Sequence, residues 1–453
     1  MQKVEDFHLD RGEQAKEQVY FKSILRAFDG YLPFSLSQNN ARRKSYYSLP
    51  RAHQQLLTHL GSPLPLPQLD GGGGEEEAGN RADGVPGRPE AFQGLRGVKA
   101  RLEEIDDRIR RNADVLHLIV QDARDFMGDE DGDASGAHLH LRTHPNTHAN
   151  GPPPKSVSGG TRRKRKRIPA QDLDKVRSTL KQFVRDWSEC GRAERDAAYQ
   201  PILDALERYL PQLYARLPQA GRPLEDTQQR QVHADLRVLV PGAGLGRLAF
   251  EIAKRGFSCQ GNEFSFFMLV ASHFILNNTS RVNEHTLYPY IHSASNWRTA
   301  RDMLAPIYIP DVLPNTLPSQ VDFSMVAGEF VEVYSKSEER GAWDAVATCY
   351  FIDTARNIMR YLETLNHILP LGGLWVNVGP LLWHYENGGD LSIELTLEEV
   401  LGLLPKMGFE VVERRSLPPQ MYTGNAAGML TYEYHPEFWI ARKVMNVEPS
   451  GSV

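Results

Sequence analysis

The 453-residue chain is poor in cysteine, has no long apolar run and carries no excess of positive charge. Its three cysteines, Cys190, Cys259 and Cys349, are widely spaced and odd in number. This argues against a disulfide framework or a zinc ribbon and fits reduced thiols in a cytosolic or nuclear protein. No apolar stretch approaches the roughly 18–20 residues that span a bilayer, and the opening MQKVEDFHLD has no apolar signal segment. A net charge of −5 gives no reason to expect whole-molecule attraction to nucleic acid or to a membrane.

Composition divides the chain into dense and sparse segments. Two parts with helical spacing of apolar residues predict an N-terminal helical region. Each is followed by a low-complexity insert with too little apolar surface to offset the entropy of ordering. We therefore expect helical regions at 1–61 and 95–127, inserts at 62–94 and 128–168, a main domain at 169–445 and a tail at 446–453.

The main domain alternates strand-like and helix-like stretches. The strand-like stretches include LRVLV, SCQGNE, WDAVATCYF and GGLWVNV, and they are followed by helical patterns such as GRLAFEIAKRG and ARNIMRYLETLNHILP. This alternation predicts an α/β fold whose parallel sheet is covered by helices on both faces. The closing pair of strands, FEVVERRS and FWIARKV, predicts an antiparallel edge.

A glycine-rich turn, LVPGAGLGR, follows the first predicted strand and contains Gly242, Gly244 and Gly246. In open α/β sheets the ligand lies beyond the carboxyl ends of the strands, and glycine there permits a close approach. The dinucleotide fingerprint G-x-G-x-x-G fails because Arg247 holds its sixth position. The pattern G-x-G-x-G is closer to the turn of S-adenosylmethionine-dependent methyltransferases, although glycine-rich turns also serve packing alone.

Glu263 supports a ligand at this turn. It ends the next predicted strand, about 20 residues after the first glycine, where a carboxylate can accept hydrogen bonds from both ribose hydroxyls. The alternative is an exposed loop glutamate. Together, the turn, the acid and the alternating elements predict an adenosine-containing ligand.

Longer stretches resemble the eukaryotic carnosine N-methyltransferases. They are LKQFVRDWSECGRAERDAAYQPI, LVPGAGLGRLAFEIAKRGFSCQGNEFSFFML, YFIDTARNI and GPLLWHYEN, the last followed by LSIELTLEEV. The resemblance covers about 170–443 and is weak in the N-terminal helices. It implies a Rossmann-like methyltransferase fold with a mostly parallel seven-stranded sheet. It also implies methyl transfer from S-adenosylmethionine, the expected cofactor, to an imidazole nitrogen of carnosine, giving anserine.

The resemblance further implies which residues bind the cofactor. Beside the glycine turn, they are Gln182, Arg185, Glu263, Glu329, Phe330 and Cys349. The family tends to have aspartate where this chain has Glu329, which with Phe330 would lie at the adenine end. Arg185 could hold the cofactor's carboxylate or could lie on a solvated helix face. Cys349 reads as a small, buried, mid-strand wall residue near the adenine.

The substrate residues implied by the resemblance are Asp353, His384 and Tyr434, with Tyr432 as a competing candidate. A carboxylate that accepts one imidazole N–H leaves the other ring nitrogen free to attack and stabilises the imidazolium formed on methylation. Asp353 could do this, or it could cap the following helix. His384 could contact the substrate or be an ordinary hydrogen-bonded histidine, and Tyr434 could contact the dipeptide or pack.

The inserts carry two further features. The basic run RRKRKR, Arg162–Arg167, is either a nuclear-import signal read by an import receptor or a solvated linker, so we expect the cytoplasm and the nucleus as locations. Four histidines lack cysteine partners, so low complexity is favoured over a metal site: His138, His140, His144 and His148.

Other functions stay open. The chain could methylate histidine in other dipeptides, in peptides or in proteins, or it could be an adaptor without catalysis. Intact glycines in the turn, Glu263 and Asp353 argue against the adaptor. The family also suggests a homodimer, for which the N-terminal helices offer a surface.

Overall fold

The computed structural model describes residues 11–58, 97–127, 168–214, 233–389 and 391–448. The helices are α1 (Arg11–Tyr47), α2 (Arg51–Thr58), α3 (Gly97–Met127), α4 (Ala170–Trp187), α5 (Arg192–Tyr214), α6 (Arg247–Lys254), α7 (Phe266–Asn277), α8 (Ala300–Met303), α9 (Phe330–Tyr334), α10 (Ile358–Ile368) and α11 (Leu397–Leu403). The strands are β1 (Arg237–Pro241), β2 (Ser258–Glu263), β3 (His285–Leu287), β4 (Ile307–Ile309), β5 (Phe323–Ala327), β6 (Ala345–Cys349), β7 (Leu374–Gly379), β8 (Phe409–Ser416) and β9 (Glu437–Lys443).

The main sheet has seven strands in the order β5-β2-β1-β6-β7-β9-β8. The first five are parallel, β9 runs antiparallel to β7, and β8 runs antiparallel to β9. Both the mostly parallel seven-stranded sheet and its antiparallel edge are therefore confirmed. Because β1, β2, β5 and β6 are parallel neighbours, their carboxyl ends lie at one edge, where the glycine turn and Glu263 meet.

The N-terminal helices pack directly on the sheet domain. One continuous core contains Ile24 of α1, Ile119 of α3, Val176 of α4 and Val238 of β1, all fully buried. Burying a side chain of this size contributes about 1.5–3 kcal/mol. The regions predicted separately at 1–61 and 95–127 are thus part of the same packed body wherever the structure describes them.

A buried amide joins these helices to the chain beyond β3. Asn112 of α3 donates to Tyr31 Oη at 2.9 Å and to the Tyr288 carbonyl at 2.9 Å. Its Oδ1 accepts the Tyr288 N–H at 2.7 Å. Since an unpaired buried polar group is costly, this arrangement fixes how α1, α3 and the segment around Tyr288 fit together.

Several sequence features lie outside the described residues. These are insert 62–94, insert 128–168 except for Ile168, the basic run Arg162–Arg167 and the four spaced histidines. Among the helices that the structure does describe, none is long and apolar enough to cross a membrane.

Candidate active site

The glycine turn after β1 has a backbone that only glycine adopts readily. Gly242, Gly244 and Gly246 have φ values of 67°, 56° and 79°, in the left-handed region. A Cβ on Gly242 would lie 2.5 Å from Cδ2 of Phe351. At Gly244 a Cβ would instead point between Asp186 Oδ2 and Gln182 Nε2, at 3.6 and 3.7 Å. The turn therefore brings its backbone close to the last turn of α4.

Glu263 is fastened to the same turn. Its Oε2 accepts the Gly244 N–H at 2.8 Å, and its Oε1 accepts the Ser265 N–H at 2.8 Å. Burial raises the pKa of the Glu263 carboxyl, and the N–H groups of Ser265 and Gly244 offset part of that rise. Each oxygen keeps a second lone pair with which a hydroxyl could be bound. The exposed-loop alternative is wrong, because Glu263 is half-buried at the end of β2.

Gln182 and Arg185 lie on a buried face of α4, so the solvated-face alternative for Arg185 is wrong. Both converge on Asp186: Gln182 Nε2 donates to its Oδ2 at 2.9 Å, and Arg185 Nη1 donates to its Oδ1 at 3.1 Å. Tyr199 of α5 also donates to Asp186 Oδ1, at 3.1 Å. Asp186 was not singled out from the sequence, although its position four residues after Gln182 is the spacing at which helix side chains meet.

The Arg185 guanidinium is enclosed by aromatic rings. Its Cζ lies 4.7 Å from the Tyr422 ring centroid and 5.0 Å from that of Tyr199, distances at which a cation is attracted to the ring face. Its Nε is 3.0 Å from Glu194 Oε1. Burial alone lowers the pKa of Arg185, but Tyr199, Tyr422 and Asp186 raise it, and the net direction is upward. Arg185 is therefore a fixed cation beside the glycine turn.

The predicted adenine pair follows β5. Glu329 is the N-cap of α9, where its Oε2 accepts the Glu332 N–H at 2.8 Å. Burial raises the pKa of Glu329. Phe330 is only 2% exposed, and its ring packs edge-on against Phe351 at 5.5 Å and Tyr361 at 5.3 Å. The Phe330 ring is thus mainly a core group.

Cys349 is the last residue of β6 and half-buried, not the mid-strand residue expected from the sequence. Burial raises the pKa of its thiol to about 11, although nearby Arg185 lowers it. The thiol is therefore protonated at neutral pH and is a poor nucleophile.

Asp353 lies on the short turn Ile352–Thr354 that follows β6, and only 3% of it is exposed. Its Oδ2 accepts the Leu382 N–H at 2.8 Å, and its main-chain oxygen accepts the His384 N–H at 3.1 Å. Burial raises the pKa of Asp353, and the Leu382 N–H and nearby His384 offset part of the rise. A buried carboxylate that spends one oxygen on a backbone N–H keeps the other for a further donor.

The helix-cap alternative for Asp353 is wrong. The N-cap of α10 is Asn357, whose Oδ1 accepts the Met359 N–H at 3.1 Å. Asp353 precedes that cap by four positions and bonds the segment after β7 instead. The carboxylate is therefore available for a role other than helix capping.

His384 and Tyr434 lie on loops around this edge. The His384 side chain is exposed, while its backbone is tied to Asp353. Tyr434 pairs through its backbone with Gln420, and its ring meets Tyr350 edge-on at 5.9 Å. Tyr432 is 75% exposed. Of the two competing tyrosines, Tyr434 is therefore the one tied to residues of the site.

The loop that leads to Tyr434 is fastened to α5, which carries the partners of Arg185. Glu194 accepts the Thr423 N–H at 2.7 Å and the Gly424 N–H at 3.3 Å. Gln420 donates to the Ala197 carbonyl at 2.9 Å and accepts the Tyr350 hydroxyl at 3.2 Å. These contacts connect Arg185, a predicted cofactor residue, with Tyr434, a predicted substrate residue, whereas Asp353 and His384 are bonded to each other through the backbone.

Across the part of the chain that the structure describes, no three or more histidine, cysteine, aspartate and glutamate side chains are grouped so as to hold an ion. The groups that the structure brings to this edge are the Arg185 cation, the buried carboxylates and the glycine turn.

Comparison with known proteins adds family information. A family model described as carnosine N-methyltransferase matches residues 162–445. The carnosine N-methyltransferase of Mus musculus is 46% identical over 273 residues, covering 60% of this chain but only 64% of that protein. That of Schizosaccharomyces pombe is 44% identical over 281 residues, covering 60% of this chain and 71% of its own. A solved S-adenosylmethionine-dependent methyltransferase of Methanosarcina mazei is 14% identical, covers 50% of this chain and 100% of its own, and has a TM-score of 0.31.

Proposed function

The chain belongs to the carnosine N-methyltransferase family, and on that premise we propose that it methylates an imidazole nitrogen of carnosine, with S-adenosylmethionine as cofactor, to give anserine. The observation that carries the proposal is Asp353. Its buried carboxylate follows β6, the strand next to β1, and so lies at the sheet edge that also bears the glycine turn. An acceptor at this place can orient an imidazole toward a methyl donor held at the turn.

The residues around the turn fit the proposed cofactor. Gly244 leaves open a place beside Asp186 and Gln182 that a Cβ would fill. Arg185 would bind the cofactor's carboxylate and Glu263 its ribose hydroxyls. Glu329 and the backbone of Phe330 would contact its adenine, since the Phe330 ring lies in the core. When bound, the cofactor supplies an electrophilic methyl group.

Asp353 would orient the imidazole ring of carnosine. The attacking nitrogen must be unprotonated, and an imidazole with a pKa near 6.5 largely meets that condition at neutral pH. Accepting the N–H of one ring nitrogen directs the lone pair of the other toward the methyl group. As the new N–C bond forms and the sulfonium becomes a neutral sulfide, the ring gains a positive charge that the carboxylate stabilises.

His384 and Tyr434 would complete the substrate site. The backbone bond between His384 and Asp353 keeps the His384 ring near the carboxylate. Tyr434 is held through Gln420, which also accepts the Tyr350 hydroxyl. We assign Tyr434 to the dipeptide rather than Tyr432, because Tyr432 is largely exposed.

Assembly and location follow as further proposals. A homodimer is supported by family membership, and light scattering of the purified protein tests it: a single monomeric mass at micromolar concentration contradicts it. Location in cytoplasm and nucleus, through an import receptor that reads Arg162–Arg167, is supported by the basic run, which lies outside the described residues. A fluorescent fusion in which this run is replaced by glutamine tests it, because nuclear signal should then be lost.

The decisive experiment is a transfer assay with the purified 453-residue chain, methyl-labelled S-adenosylmethionine and carnosine. We expect labelled anserine, identified by mass and retention against a standard. Free histidine, homocarnosine and a histidine-containing peptide, each supplied at the same concentration, report on the alternative substrates. Absence of label in anserine, with label in the peptide, would replace carnosine by peptidyl histidine. Absence of label in every product would remove the methyltransferase proposal.

A further inference from the structure

The last turn of α4 carries Gln182, Arg185 and Asp186 and faces the glycine turn. A helix leaves the last four backbone carbonyls without partners inside the helix. In α4 these are the carbonyls of Arg185, Asp186, Trp187 and Ser188. The groups that bind these four carbonyls therefore also fix the positions of the side chains in this turn.

Three residues, Arg195 at the start of α5 and the more distant Arg247 and Asp311, bind all four carbonyls. Arg195 Nη1 donates to the Arg185 carbonyl at 2.7 Å and to the Ser188 carbonyl at 2.6 Å. Arg247 Nη1 donates to the Asp186 carbonyl at 2.7 Å. The Asp311 N–H donates to the Trp187 carbonyl at 3.0 Å.

These three residues also bind one another. Asp311 accepts Arg247 Nη1 on Oδ1 at 2.6 Å, and its Oδ2 accepts Arg195 Nη2. All three side chains are at most 6% exposed. The Arg247 guanidinium also lies over the Trp187 ring at 4.9 Å. Two cations at a helix C-terminus interact favourably with its dipole, and the shared carboxylate neutralises one of them.

Arg247 links this cap to the glycine turn because it directly follows Gly246 and begins α6. A second link is the Trp187 indole, whose Nε1 donates to the Leu245 carbonyl at 3.0 Å. The turn and the end of α4 are thus joined through both Arg247 and Trp187.

We propose that Arg195, Arg247 and Asp311 are positioning residues for the cofactor: they hold the α4 turn that bears Gln182, Arg185 and Asp186 at a fixed distance from the glycine turn. The inference rests on the cofactor named in the proposed function, but not on carnosine. Buried ionic groups of this kind add little stability over apolar replacements, whereas they demand one geometry. Here, the geometry that Arg195, Arg247 and Asp311 fix is the position of the last turn of α4 relative to the glycine turn.

Arg247→Lys tests the proposal. Lysine keeps the charge but lacks the planar fork that reaches Asp186 and Asp311 together. We expect the dissociation constant for S-adenosylhomocysteine, measured by calorimetry, to rise at least about tenfold, with kcat at saturating cofactor changed less than about threefold. Arg255→Lys is the matched control, because Arg255 is the C-cap of the same helix and its ion pairs are with Glu207 of α5 and Glu251 of α6.

Unchanged cofactor affinity in Arg247→Lys overturns the proposal. Equal losses in Arg247→Lys and Arg255→Lys also overturn it, because they would reflect general loosening of α6. If Arg247→Lys does not fold, Arg195→Lys is measured in the same way and must lose affinity. Cofactor binding is read without turnover, so a chain that binds S-adenosylhomocysteine but does not methylate carnosine refutes the proposed substrate and leaves this inference standing.

Discussion

Gly244 and Glu263 are joined by a hydrogen bond of 2.8 Å from the glycine N–H to the glutamate Oε2. The bond holds the acid that ends β2 against the turn after β1. A change at either residue should therefore alter the position of the other.

Gly244→Ala should separate cofactor binding from stability. Its φ of 56° makes any side chain there cost about 1 kcal/mol, and the new methyl group would point at Asp186 and Gln182. Cofactor affinity should fall by about tenfold or more. The control is Gly256→Ala, where φ is 93° and the nearest atom to a new Cβ is 3.6 Å away, on His233. Both variants should unfold at a lower urea concentration than the unaltered protein. Only Gly244→Ala should bind S-adenosylhomocysteine poorly. Equal affinities of the two variants would contradict a close approach of the cofactor to the Gly244 backbone.

Asp353→Asn should lose activity and gain stability. Loss of the carboxylate removes the N–H acceptor for the imidazole and should lower kcat by about 10²–10⁴-fold, with cofactor affinity nearly unchanged. Because burial raises the pKa of Asp353, its charge costs folding free energy at neutral pH, and asparagine removes that cost. Thermal unfolding at pH 7 should therefore shift upward.

A matched control lies at the other end of β6. Asp344 also has its pKa raised by burial and also accepts one backbone N–H, that of Arg237 at 2.8 Å. Asp344→Asn should leave kcat unchanged, because this acid lies at the opposite edge of the sheet. Similar losses in both variants would make the role of Asp353 structural.

The acid limb of the pH profile should contain two protonations. Protonation of the carnosine imidazole lowers kcat/KM with a slope of one below about pH 6.5. Since burial raises the pKa of Asp353, this acid takes up a proton as the pH falls further, and the slope should steepen toward two. In Asp353→Asn the slope should stay at one. Initial rates across this range, with folding monitored by circular dichroism, check the difference, and parallel profiles would refute it.

Tyr434→Phe should raise the KM for carnosine by about fivefold, the effect of one hydrogen bond of about 1 kcal/mol. Cofactor affinity should be unchanged. Tyr432→Phe serves as the comparison, because Tyr432 is 75% exposed and should behave as the unaltered protein does. The reverse ranking in steady-state kinetics would assign the substrate contact to Tyr432.

Asn112→Ala should destabilise the whole protein without a specific kinetic effect. It leaves the Tyr288 N–H and carbonyl unpaired in a buried place, at a cost of about 2–4 kcal/mol. The midpoint of urea unfolding measures this loss, and Asn40→Ala, at an exposed position of α1, is the comparison. Two separate transitions, one of them unaffected, would show that α1 and α3 fold independently of the sheet.

The sequence was sufficient to predict the strands and turns that depend on residues close together in the chain. Strand β2 is the stretch SCQGNE, and its last residue is the predicted Glu263. The glycine turn could be located because three glycines at alternate positions follow a predicted strand, and glycine readily adopts the positive φ values found there. The antiparallel β8 and β9 could be predicted from apolar periodicity near the end of the chain.

What the sequence left unresolved depends on long-range contacts. In the sequence, Arg247 served only to rule out a dinucleotide-binding motif. In the fold it binds Asp311, which lies far along the chain. Asp353 had two possible roles until Asn357 was found to cap α10. Arg185 could have been solvated, and only packing by α5 and the loop around Tyr422 buries it. The sequence pattern predicts the spacing of such side chains along an element. It does not predict their partners, which lie on other elements that come together only in the folded protein.

The place of β9 between β7 and β8 bears on the order of folding. Every residue of β7 is buried, and one of its two edges is completed by β9, the last strand along the described chain. Pairs such as Leu374 with Arg442 join distant parts of the chain, and such non-local pairing slows folding. An open hydrophobic edge on β7 therefore persists until the final strand inserts. In a growing chain the edge stays unpaired at least until residues 437–443 have been made, and an unpaired edge favours edge-to-edge association.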